Sequence, residues 1–274
     1  MGINHGKTRL KRAGDRDLLL GTEDVPPVRE YNAAGRSPFF LTCDHYGRLV
    51  PRALGELGLP ESELKRHIGW DIGIAGVAEQ LSPQLDAHLV VQRYSRLVID
   101  CNRPPDAASS IPRISEATTI PANEGISGED AATRRAEIFD PYHRRIDGII
   151  DQRRSAGMPT VLVSLHSFTP VYAGIARPWH IGTLYQRDRN LPPLLLKLLR
   201  AEGDLVVGDN EPYAVSDDTD YTSPVHAEAR GLMNTGIEIR QDLISDPAGE
   251  KAWADRLARI FGEIEPLLRA QQLI

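Results

Sequence analysis

The sequence predicts an α/β fold: a single domain with a mostly parallel central sheet covered by helices on both faces. Short apolar runs such as Phe39-Phe40-Leu41-Thr42-Cys43, Leu89-Val90-Val91 and Val161-Leu162-Val163 are continuous rather than alternating, as strands buried on both faces must be. Stretches with apolar residues three and four apart lie between them, so strands and helices alternate. At 274 residues, 41% hydrophobic and 26% charged, the chain has the size and composition to bury one substantial core.

Residues 1–35 are polar, rich in Arg, Lys, Asp and Gly, with Pro26-Pro27 inside, and are expected to form an extension. The domain is expected over 36–274, its body starting near Pro38. Phe39 to Cys43 reads as a buried strand ending in the turn signature Asp44-His45-Tyr46-Gly47. Leu49 to Leu59 reads as an irregular or short helical connection, and Ser62 suits the cap of a short turn of helix. Ile72, Ile74, Ala75, Val77, Ala78 and Leu81 share one helical face, with Asp71 in the N-cap position. Leu89–Val91 and Leu97–Cys101 are the next strand candidates. From Pro104 to about Gly128 there is no period, and a loop of that length inside a domain usually serves function. Asp130 to Ala156 has helical spacing and stops at Gly157 and Pro159. Strands are expected over Thr160–Leu165, Leu205–Val207 and Gly236–Ile239, and helices over Leu191–Ala201 and Ala252–Ala270.

Thirty-two basic residues against 38 acidic ones, net −6, give no electrostatic ground for a nucleic-acid or anionic-membrane partner. Cys43 and Cys101 are too few for a disulfide scaffold and read as buried thiols. No run of about 18 apolar residues and no signal-peptide core is present, so a cytoplasmic location is expected.

In such sheets a site lies outside the carboxyl ends of the strands. Asp44-His45, Asn102-Arg103, Ser164 to Ser167 and Asp209-Asn210 each follow an expected strand. Two apolar runs break on chemistry: Val161 to Phe168 on His166, and Gly236 to Arg240 on Glu238. An imidazole and a carboxylate on rigid supports suit one ligand and the general base of a zinc hydrolase.

Six blocks carry a resemblance: Asp44-His45-Tyr46-Gly47 to Pro51, His67-Ile68-Gly69-Trp70-Asp71-Ile72-Gly73, Tyr94 to Arg103, Leu165-His166-Ser167, Gly208 to Tyr213, and His226 to Leu243. Together they resemble the N-formylglutamate amidohydrolase family, from about Pro38 to the C-terminal helix. A more distant likeness is to zinc carboxypeptidases, in the strand carrying His166, the strand carrying Glu238 and the pair Asn102-Arg103. The resemblance implies a phosphorylase/hydrolase-like fold. It also implies a metal-dependent hydrolase acting on a small N-acyl amino acid, such as N-formyl-L-glutamate giving formate and L-glutamate in histidine degradation.

One departure is evident: carboxypeptidases take two ligands from His-x-x-Glu, whereas Arg48 stands three residues after His45. Another carboxylate must complete the site, Asp71 being preferred and Asp44 and Glu56 remaining alternatives. Zinc, or another divalent ion, is then expected on His45, Asp71 and His166. Glu238 accepts a proton from water and returns it to the leaving amine. Arg96 or Arg103 stands by the developing oxyanion. Arg103 and Arg230 clamp substrate carboxylates, with Asn102 beside them, and His226 contacts substrate. His143 is as readily structural, and His5, His67, His88 and His180 have no partner arguable from sequence. Two other readings stay open. One is a Cys43 or Ser167 nucleophile with a histidine base, though no Gly-x-Ser-x-Gly elbow surrounds either. The other is a non-catalytic or differently specific protein that binds small carboxylates.

Overall fold

The computed structural model describes residues 18–274. In chain order its strands are β1 (Val28–Tyr31), β2 (Phe39–Cys43), β3 (His88–Gln92), the small hairpin β4 (Ile114–Ser115) and β5 (Thr118–Thr119), β6 (Val161–Phe168), a second hairpin β7 (Val171–Tyr172) and β8 (Ile175–Ala176), β9 (Ile181–Leu184), β10 (Val207–Asp209) and β11 (Met233–Arg240). The helices are α1 (Glu61–Leu64), α2 (Ile74–Gln84), α3 (Gly128–Arg134), α4 (Asp140–Ser155), α5 (Leu191–Ala201) and α6 (Pro247–Ala270).

Seven strands form one sheet in the order β1-β3-β2-β6-β11-β9-β10. The central neighbours β3, β2, β6 and β11 are parallel, and antiparallel pairing enters only where β1 meets β3 and β9 meets β11. The α/β class with a largely parallel sheet is therefore the observed one. Every residue of β2, β3 and β6 is buried, because helices cover both faces. On one face α2, α5 and α6 contribute Val77, Leu195 and Phe261 to the core; on the other α4 contributes Tyr142, Ile146 and Ile149. Among the described residues no helix is long and apolar enough to cross a membrane.

Three local expectations change. Leu97 to Cys101 is buried as expected but is not a strand. Both edges of β3 are already paired, to β1 and β2, so these residues have no ladder to join. Their backbone groups are held instead by turns and a side chain: Val98 N donates to Ser95 O, Asp100 N to Ser110 O, and the Arg134 guanidinium to Val98 O. The stretch expected to be an extension contributes β1, and Leu19 is buried; only residues 1–17, with His5 among them, lie outside the described residues. Four residues of mixed polarity, Val28-Arg29-Glu30-Tyr31, give too short a pattern to betray a strand. Asp71, finally, does not cap α2. Gly73 does, at φ +80°, and a β-carbon there would lie 2.0 Å from Ile244 O. The Asp71 carboxylate is left free for other partners.

Candidate active site

The site forms at the carboxyl ends of the central strands. His166 on β6 and Glu238 on β11 are direct register partners in the parallel ladder, so their side chains leave the same face of the sheet. Asp44 and His45 continue β2, and Asp71 stands just before α2. The turn that replaces the expected strand after β3 carries Arg96, Asp100, Asn102 and Arg103 toward the same place.

Two imidazoles converge on one carboxylate. His166 Nδ1 lies 3.0 Å and His45 Nδ1 3.4 Å from Asp71 Oδ2, and Ser167 N donates to that oxygen at 3.2 Å. Behind the rings stand two more carboxylates. His45 Nε2 is 2.7 Å from Asp100 Oδ1, and His166 Nε2 is 2.9 Å from Ser164 Oγ and 3.3 Å from Asp44 Oδ2. Arg96 donates twice to Asp100 Oδ2, at 3.0 and 2.6 Å, and lies 3.6 Å from Asp71. Thr222 Oγ1 donates to Asp44 at 2.7 Å.

Burial opposes charge on Asp44, Asp71 and Asp100, but the histidines and Arg96 prevail and hold all three below the usual carboxylate range, Asp44 at about 2. Glu238 behaves oppositely. Burial pushes its carboxyl up to about 7, and its Oε2 has no hydrogen-bond partner among the described residues.

His45, Asp71 and His166 each offer one ligand atom within 4.8 Å of the others, all three buried. The donor set fits a divalent ion on chemical grounds: two imidazoles and a carboxylate converge, and the far nitrogen of each ring faces a carboxylate that fixes its tautomer and orientation. Of the alternatives for the second carboxylate, Asp44 sits behind His166 rather than between the rings, and Glu56 is exposed on the surface.

His45, Asp71 and His166 line a cavity of about 540 Å³, which Arg96, Asn102, Arg103 and Glu238 share with Tyr213. Arg103 donates to Thr219 O and lies 3.8 Å from Asp220. Asn102 Oδ1 accepts from the backbone N–H groups of Tyr221 and Thr222. Two residues expected at the substrate do not line this cavity. Arg230 is paired with Asp147 and Asp151 on α4. His226 is buried, with Nδ1 2.9 Å from Asp147 Oδ1 and Nε2 2.8 Å from His143 Nδ1; His143 Nε2 in turn donates to Cys101 O at 2.8 Å. The chain from Thr222 to Ala227 coils as a π-helical turn, carrying His226 and Arg230 toward α4.

The nucleophile alternative finds no support in the geometry. Cys43 is wholly buried, and burial pushes its thiol well up; Ser167 Oγ donates to Ile72 O. His67 Nε2 lies 3.3 Å from Glu116, His88 Nε2 2.8 Å from Glu30, and His180 Nδ1 accepts from Val206 N at 3.0 Å. Sequence reasoning misses the part taken by Asp100. Its signal is position alone, four residues after Arg96 and two before Asn102 in a buried apolar segment, where a charged side chain needs a partner.

A family model described as N-formylglutamate amidohydrolase matches residues 37–245. Among solved structures, a gene product of Agrobacterium tumefaciens is similar at 38% identity and a TM-score of 0.88, over 92% of this chain and 99% of that one. An N-formylglutamate amidohydrolase from Ralstonia eutropha JMP134 shares the fold at 16% identity and a TM-score of 0.68, over 90% of this chain and 100% of that one. No curated protein matches the chain.

Proposed function

Since this chain belongs to the N-formylglutamate amidohydrolase family, we propose that it is a zinc-dependent hydrolase cleaving the amide of a small N-acyl amino acid, such as N-formyl-L-glutamate to formate and L-glutamate. The observation that carries the metal is the convergence of His45, Asp71 and His166 with a carboxylate behind each imidazole. A divalent ion held there would supply Lewis acidity toward the amide carbonyl and acidify water near neutral pH.

The remaining steps fall to this chain's own groups. Glu238, buried and with one oxygen unpartnered, accepts the proton of the water whose oxygen bonds to the acyl carbon. It delivers that proton to the amide nitrogen as the C–N bond breaks, so acid and amine leave with protons balanced. Arg96, held against Asp100 and Asp71, faces the negative charge that develops on the carbonyl oxygen. Arg103 and Asn102 receive the carboxylate of the amino-acid half. A cytoplasmic place in histidine degradation is consistent with that substrate.

The deciding experiment measures formate released from N-formyl-L-glutamate by protein stripped with a chelator and then reloaded with zinc. Activity lost and recovered in proportion to bound zinc is expected. Turnover persisting in metal-free protein, or in His166→Ala, overturns the reading.

A further inference from the structure

Behind the cavity runs a chain of three hydrogen bonds that the chemistry above leaves unused. Asp147 Oδ1 is 2.9 Å from His226 Nδ1, His226 Nε2 is 2.8 Å from His143 Nδ1, and His143 Nε2 is 2.8 Å from the backbone oxygen of Cys101. Each contact needs one proton, and neither end of the chain supplies any: a backbone carbonyl and an ionised carboxylate only accept. Two neutral imidazoles carry one proton each. One of the three contacts would then set two lone pairs against each other, in an interior where His143 is 5% and His226 1% exposed.

The surroundings suit a third proton on the rings. Asp147 stays ionised, because the hydrogen bond from His226 holds its carboxyl below the usual range and Arg230 donates to the same oxygen. Phe139, Tyr221 and Tyr142 enclose the His143 ring, with centroids 4.2, 4.5 and 5.2 Å away, and aromatic rings support a neighbouring positive charge. Asp44 adds a negative charge from the end of β2, while burial keeps His143 the neutral member, which leaves the extra proton on the His226 side, next to Asp147. The far end of the chain reaches the active site. Cys101 stands between Asp100, which faces His45 Nε2, and Asn102, whose side-chain oxygen accepts from Tyr221 N and Thr222 N. Thr222 in turn donates to Asp44, the carboxylate behind His166. The two histidines thus join the turns that brace the carboxylates behind both imidazoles of the metal site.

We propose that His143 and His226 together hold three ring protons, a single positive charge on a buried pair, and act as positioning residues that clamp Cys101 O and through it fix Asp100 and Asn102. The pair acts on the metal by way of Asp100 and His45, and on the substrate carboxylate by way of Asn102. These effects rest on the hydrolase reading above; the proton count does not.

Two measurements on the full chain test this. Long-range proton–nitrogen NMR spectra of histidine-labelled protein at neutral pH count the ring protons, with His143→Gln and His226→Gln supplying the assignments. One ring protonated at both nitrogens and one protonated at Nε2 alone are expected; two singly protonated rings overturn the proposal while the hydrolase reading stands. The second measurement is zinc affinity, by competition with a chromophoric chelator. In His143→Gln an amide N–H remains for Cys101 O and an oxygen for His226, whereas His143→Leu offers neither. Outer partners of metal-binding histidines contribute about 10–100-fold, and a clamp one step further out is expected at the lower end: a zinc dissociation constant about tenfold higher in His143→Leu and within about twofold of wild type in His143→Gln. KM for N-formyl-L-glutamate is expected to follow the same order. Zinc affinity equal in all three proteins makes the pair a packing feature and overturns the positioning role, as does an equal loss in both variants. Should His143→Leu fail to fold, a tenfold loss in His143→Gln overturns it in the same way. Wild-type protein that binds no zinc removes the hydrolase reading and the positioning role with it, and the proton count still stands or falls by its spectrum.

Discussion

Asp100 is the residue on which the electrostatics of the site turn, and Asp100→Asn tests it with little change of volume. The wild-type carboxylate accepts two hydrogen bonds from Arg96, at 3.0 and 2.6 Å, and faces His45 Nε2 at 2.7 Å. Asparagine keeps an acceptor for His45 but loses the charge, leaving Arg96 with a neutral partner. Breaking a fully buried ion pair costs about 3–5 kcal/mol; because the Arg96 side chain is 24% exposed and water supports it in part, about 2–3 kcal/mol is expected. The loss is to be read from urea unfolding of chelator-treated protein. Partners behind metal-binding histidines contribute about 10–100-fold in affinity, so losing the charge should weaken zinc binding: competition with a chromophoric chelator should show a dissociation constant about 10–100-fold higher in the variant. Zinc affinity unchanged within about twofold, in a variant that folds, would refute the argument that Asp100 orients His45 for a metal.

Glu238→Gln should bind zinc as wild type does while turnover falls about 10²–10⁴-fold; loss of zinc with turnover would make Glu238 a ligand instead. Arg230→Met should leave KM for N-formylglutamate within about twofold and cost no more than about 1 kcal/mol in stability, because its partners Asp147 and Asp151 are surface acids. A tenfold rise in KM, by contrast, would return it to the substrate. His143 supplies a pH dependence of stability. Burial and the neighbouring His226 bring its pKa down to about 3 from 6.5, so between those values the unfolded chain binds the extra proton. Stability is then full above pH 6.5 and falls as the pH drops toward 3. Between pH 6.5 and 5 the contribution is about 2 kcal/mol. Urea unfolding with chelator present should show that slope in wild type and its reduction in His143→Gln; identical slopes would contradict the buried neutral state.

His166 and Glu238 are legible in sequence because each interrupts an apolar run, and a parallel ladder in matching register makes such interruptions neighbours. Asp71 is harder to read: an acid at the head of a helix looks like a cap, and only the approach of His45 and His166 from two other strand ends gives it a different task. The residues from Arg96 to Arg103 show the limit of pattern. Their burial is legible, but a turn and a strand bury the same apolar residues, and the choice was made by β1 occupying the edge of β3. Arg230 is near Glu238 in the chain yet pairs with Asp147 and Asp151 on α4, because it belongs to the short turn Glu228–Arg230 that ends before β11 begins at Met233. Likewise β9, where the sequence led to no expected strand, is short and contains Gly182, where a β-carbon would lie 1.9 Å from Glu211 O, a close crossing of two chain segments.

The antiparallel strand β1 precedes the range 37–245 that the family model matches, yet it works like the clasp on a bracelet. Glu30 ties it to Arg145 on α4 and His88 on β3, and the Tyr31 hydroxyl shares a hydrogen bond with that of Tyr46 at 2.7 Å, with Glu79 Oε1 within hydrogen-bond reach of both. Tyr46 is the residue after His45. A chain begun at Pro38 would therefore lose two things together: the neighbour that occupies the outer amides and carbonyls of β3, an open seam to which a second molecule can add, and the anchor beside the histidine that Asp100 and Asp71 hold.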